Sequence, residues 1–169
     1  RTASQMYRGV ADRAAIAEVV RAVSVPVIAS GDALDAPRAA ALLADTGAAG
    51  AFVARGSYGN PWIFDQARAI VATGGAEGAG APRASAAVAS VPLPWRLAAF
   101  REHVRLLVAT GAHMARARSL AGWYLRAVPD AAAWRERAMH CASAADYYAL
   151  ADEVEGACRE AGVWDEAAR

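Results

Sequence analysis

Val53-Ala54-Arg55-Gly56-Ser57-Tyr58-Gly59-Asn60-Pro61-Trp62-Ile63-Phe64 is the stretch whose reading decides the fold. It leaves the apolar run Gly50 to Ala54, crosses two glycines, and reaches an Asn-Pro pair ahead of an apolar cluster. Local rules read a strand ending near Ala54, a turn through Gly56 and Gly59, and a helix with Asn60 as cap and Pro61 in its first position. Backbone N–H groups converge at such a helix start, and the helix dipole adds positive potential there, so the turn suits an anion. An ordinary strand-to-helix connection fits the same letters.

Working outward toward the N-terminus, Asp12 is placed to cap a helix over about 13–22 that carries Ile16, Val19, Val20 and Val23 at helical spacing. The short β-branched run Val25 to Ala29 then reads as a buried strand of a parallel sheet. Ser30-Gly31-Asp32 is a turn, Asp35 and Pro37 open a second helix with Ala39, Leu42 and Leu43, and Thr46-Gly47 closes it. Helix, strand, helix, strand, helix is the alternation of an α/β fold, with both turns at strand C-terminal ends. In a (β/α)₈ barrel the loops after the last two strands commonly hold a phosphate, and the pair of turns favours the anion reading.

Toward the C-terminus, residues 73–91 are small and aperiodic and read as a linker, so 1–72 and 92–169 separate into two domains. Beyond the linker, Leu97, Phe100, Val104 and Leu107 mark one helix face, and helices are expected over about 114–127, 131–141 and 143–161, a small helical bundle. A helix over 114–127 would put Arg118, Gly122 and Arg126 on one stripe.

The 169 residues suffice for cores of their own, and no apolar run approaches the roughly 20 residues a membrane helix needs. Cys141 and Cys158 make neither a metal spacing nor a disulfide framework, and His103, His113 and His140 show no ligand spacing. A soluble, cytoplasmic protein without a metal is expected. Net charge is +1 with every basic residue an arginine, yet Trp95 to Arg126 holds Arg96, Arg101, Arg105, Arg116, Arg118 and Arg126 against Glu102 alone. Such a segment suits a phosphate backbone or is a solvated charged face.

The motifs VPVIASGD (25–32), TGAAGAFVARGSYGNPWIF (46–64) and RSLAGWYL (118–125) resemble the C-terminal half of bacterial tRNA-dihydrouridine synthases. Arg1-Thr2 and Met6-Tyr7-Arg8-Gly9 also look like the tail of that family's H-[GA]-R-T segment and the loop after it. The resemblance implies the C-terminal part of an FMN-binding (β/α)₈ TIM barrel followed by a helical tRNA-binding domain. It also implies FMN with NAD(P)H as reductant, and reduction of tRNA uridine to 5,6-dihydrouridine by hydride delivery to uracil C6. On the family pattern Ser30, Gly31 and Asp32, with Ala54 and Arg55, line the FMN phosphate, and Arg118, Trp123 and Tyr124 keep positions of an R-K-H-x-x-W-Y run that holds tRNA, with Ser119 and Leu120 in place of its lysine and histidine; Arg116, Arg118 and Arg126, from the basic segment, are the expected RNA-binding residues. Ser30 stands for the usual asparagine and Ala54 for the usual glycine, so Ala54 must sit in a backbone region open to a Cβ. The family's catalytic cysteine segment, N-x-G-C-P, does not occur in the sequence. Neither Cys141 nor Cys158 has that context, so the chain is expected to be an inactive fragment by itself. Two other readings stay open: a stand-alone RNA-binding helical module, and another phosphate-binding flavin barrel.

Overall fold

The computed structural model describes residues 9–74 and 91–165; most of the expected linker, and the resemblance at residues 1–8, lie outside these. Two units divide the chain: Arg1–Ser57 with Pro61–Ala89, and Tyr58–Asn60 with Ser90–Arg169. The tripeptide Tyr58–Asn60 thus belongs with the second unit although its neighbours on both sides belong with the first.

The first unit runs α1 (Arg13–Ala22), β1 (Ile28–Ser30), α2 (Ala36–Thr46), β2 (Gly50–Phe52), a 3₁₀ turn (Arg55–Ser57) and α3 (Ile63–Ala72). Caps set these limits as the sequence predicts. Asp12 accepts the amide of Ala15 and Asp35 that of Arg38, and Gly47 ends α2 at φ +67°, the left-handed turn glycine adopts without strain. β1 and β2 pair in parallel with Ile28, Ala29 and Ser30 opposite Gly50, Ala51 and Phe52. Ala29 is buried with Ala33, Ala39 and Leu42, and Ala51 packs against that cluster.

The strands depart from the expected run of wholly buried residues. β1 starts at Ile28 rather than Val25, and Ile28 and Phe52 stay 60% and 62% exposed. A parallel strand is buried on both faces only when layers cover both, and among the described residues the pair is covered on the Ala29–Ala51 side. The helix after β2 is a second correction. It starts at Ile63 behind Trp62, with no side-chain cap, instead of at Asn60-Pro61. Gly59, at φ +70°, lies so close to Trp123 that a Cβ would come within 2.9 Å of its backbone, and Tyr58 stacks on the Trp123 ring.

The second unit is all-helical: α4 (Leu93–Ala109), α5 (Ala115–Tyr124), α6 (Ala131–His140) and α7 (Ala144–Glu160). Leu97, Phe100, Val104, Tyr124, Leu125, Tyr147, Leu150, Val154 and Cys158 fill its core. Phe100 meets the Tyr124 ring tilted at 5.9 Å and the Tyr147 ring edge-on at 6.3 Å, arrangements that suit aromatic quadrupoles. At α7 the Ser143 side chain accepts the amide of Asp146 while Asp146 accepts that of Ser143, a reciprocal capping box.

Candidate functional site

Two groups of predicted site residues lie one in each unit. In the first, parallel pairing of β1 with β2 brings the segment after Ser30 and the segment after Phe52 to one rim of the sheet. The approach is very close. A Cβ on Gly56 would lie 2.3 Å from the Ala33 carbonyl oxygen and 2.8 Å from the Ile63 side chain, so only glycine lets the two loops meet. Gly31 is similarly confined, with a hypothetical Cβ 2.5 Å from that of Ala11.

Asp32 ties the rim together. Its φ of +49° is a left-handed conformation that aspartate tolerates better than most residues. Its carboxylate accepts the Ala11 amide at 2.8 Å and the Arg55 guanidinium at 3.2 Å. The Arg55 side chain is half exposed, so the pair contributes little stability and serves to aim the guanidinium. Ala54 lies outside the positive-φ residues, which accounts for a Cβ where glycine was expected; its carbonyl accepts both the amide and the hydroxyl of Ser57. The first amides of the turn, on Arg55 and Gly56, precede any acceptor within the turn itself. The donor set of a guanidinium and turn amides fits a phosphate monoester.

In the second unit, the structure sorts the arginines. Arg101 bonds Asp152 at 2.7 Å and Glu155 at 3.0 Å, Arg105 bonds Glu102, Arg137 bonds Glu153 and Arg159 bonds Glu155. Half-buried Arg96 donates to the backbone carbonyls of Tyr124 and Arg126, and burial lowers its pKa from the usual arginine range. Among the described residues Arg116, Arg118, Arg126 and Arg135 form no ion pair with a carboxylate. The first three are those singled out from sequence and all are exposed; Arg135 was not singled out. Arg118 also stands beside the Tyr147 phenol, whose pKa burial raises and Arg118 draws back. The expected stripe is corrected in one respect: α5 stops at Tyr124, so Arg126 lies beyond the helix.

The remaining chemistry-bearing side chains are structural. Cys158 is fully buried, Cys141 ends α6, and burial raises the pKa of both thiols, the opposite of nucleophile activation. His103, for which sequence offered no partner, has Nδ1 3.0 Å from the hydroxyl of buried Tyr124. His113 Nδ1 accepts the Ala115 amide. No group of three or more potential metal ligands exists among the described residues. No helix among them is long and apolar enough to cross a membrane.

Comparison with known proteins bears on both groups. The family model described as "Dihydrouridine synthase (Dus)" matches residues 1–161. The "Probable tRNA-dihydrouridine synthase 1" of Synechocystis sp. is 32% identical over 156 residues, covering 91% of this chain and 41% of that protein. The "tRNA-dihydrouridine synthase B" of Pseudomonas aeruginosa is 31% identical over 160 residues, with 88% and 45% covered. A "Probable tRNA-dihydrouridine synthase" of Rhodobacter capsulatus is 51% identical over 71 residues, with 42% and 22% covered. The chain belongs to the dihydrouridine synthase family, and it spans less than half the length of these curated relatives.

Proposed function

We propose that the chain serves in the reduction of uridine to 5,6-dihydrouridine in tRNA, as part of a flavin-dependent oxidoreductase of the cytoplasm. In this reading residues 1–72 are the closing strands and helices of a (β/α)₈ barrel, 73–91 a linker, and 92–169 the tRNA-binding domain. The observation that carries it is the meeting of the two loops at Gly56, with Arg55 aimed by Asp32 at the rim where the strands end.

FMN, when bound, supplies the hydride chemistry, with NAD(P)H as the reductant. The chain's own part is binding and orientation. The Arg55 guanidinium and the turn amides of Arg55 and Gly56 hold the phosphate, backed by Ser30 and Gly31, while the Asp32 carboxylate orients Arg55. Arg116, Arg118 and Arg126 face the RNA backbone, where a cation free of carboxylates releases counterions on binding.

The test is genetic and spectroscopic. Deleting the gene should remove dihydrouridine from specific tRNA positions, and re-expression should restore it; an unchanged dihydrouridine profile overturns the reading. The full-length protein should carry flavin absorbance that Arg55→Glu diminishes.

A further inference from the structure

The end of α5 shows an unusual division of labour. After Tyr124, Leu125 and Val128 are buried in the bundle core at 0% and 5% exposure, and Arg126 and Ala127 between them are exposed. Ala127 holds φ +57°, a left-handed conformation that costs a non-glycine residue about 1–2 kcal/mol and persists only where the surroundings impose it. Arg96, reaching across from the first turn of α4, bonds the backbone just ahead of Ala127. One guanidinium nitrogen donates to the Tyr124 carbonyl at 2.6 Å and to the Arg126 carbonyl. The Tyr124 carbonyl is among those a helix end leaves without intrahelical partners, and the Arg126 carbonyl lies two residues beyond that end.

We propose that Arg96 is a positioning residue for the tRNA surface: by clamping both carbonyls it fixes the segment that displays the Arg126 side chain outward. Arg96 itself faces protein and touches no RNA. The inference rests on the tRNA-binding reading above, and its prediction is coupling between two arginines whose side chains play different parts.

Binding of an unmodified tRNA transcript to the full chain is measured against salt for wild type, Arg126→Ala, Arg96→Met and the double variant, with folding followed by circular dichroism. Loss of one phosphate contact lowers the slope of log K against log salt by about one. R126A and R96M should each show that loss, roughly threefold in affinity over a fourfold salt range, and the double variant should lose no more than R126A alone. Full additivity, or an R96M slope equal to wild type beside a reduced R126A slope, overturns the positioning role and leaves the tRNA reading standing. A wild-type slope for R126A overturns both. Should R96M fail to fold, Arg96→Lys, which keeps the charge on a shorter reach, is measured in its place. It should show a smaller loss that vanishes in the R126A background, and a loss that persists there overturns the proposal.

Discussion

At the scale of single residues, the meeting of the loops turns on one missing methyl group. Gly56→Ala forces a Cβ against the Ala33 carbonyl, a backbone atom that cannot swing aside. Overpacking of this kind costs about 1–3 kcal/mol, and a lowered urea midpoint together with reduced flavin content would register it. Asp32→Asn is the contrasting case. Asparagine accepts the left-handed backbone, so stability should change by less than about 1 kcal/mol, whereas flavin retention falls because Arg55 loses its charged guide. Equal flavin content in wild type and D32N would remove Asp32 from the site. What sequence could show here was the pairing of SGD with ARG at successive strand ends. It could not show that the Asp32 carboxylate is engaged by Ala11 and Arg55, because those partners are 21 and 23 residues away.

Elements were legible where their ends are chemically marked. Asp12, Asp35, Gly47 and Ser143 each stop or start a helix where local rules put it, since a cap is satisfied by neighbours within four residues. α5 was misjudged because a distant group sets its end, Arg96 taking the carbonyls of Tyr124 and Arg126, and α3 because it begins at Ile63 with no side-chain cap to mark it. Ser143→Ala should cost about 1 kcal/mol, seen as a lower melting temperature. The same cap carries an acid dependence. Amides of Ala142 and Ser143 on the Asp146 carboxylate hold its pKa below 3.8, so the ionised form belongs to the folded state. Its stabilising contribution is present above the unfolded value and is lost as pH falls through the lower, folded one. Asp146→Asn should therefore flatten the stability profile below about pH 4; an unaltered acid limb in denaturation curves would contradict this.

For the whole molecule, the arginine-rich sequence overstated the free positive charge. Arg101 and Arg105 looked basic, but Asp152, Glu155 and Glu102 neutralise them, and only the Glu102 pairing was visible as an i,i+3 neighbour. Among the described residues of the helical unit, the exposed arginines that remain without a carboxylate are Arg116, Arg118 and Arg126, with Arg135 half-buried. Arg118→Glu should weaken tRNA binding and reduce its salt dependence while leaving flavin content unchanged, and unaltered affinity would defeat the tRNA assignment of that helix. The two-unit organisation carries a consequence for anyone dissecting the protein. Because Tyr58–Asn60 belongs with the helical unit, the backbone visits that unit once before it enters it for good. A genetic cut at residue 90 would therefore not excise a finished piece. The excised helices would lack the phenol ring that lies 4.1 Å above the Trp123 indole, exposing an aromatic face to water and giving a tryptophan emission different from that of the uncut chain.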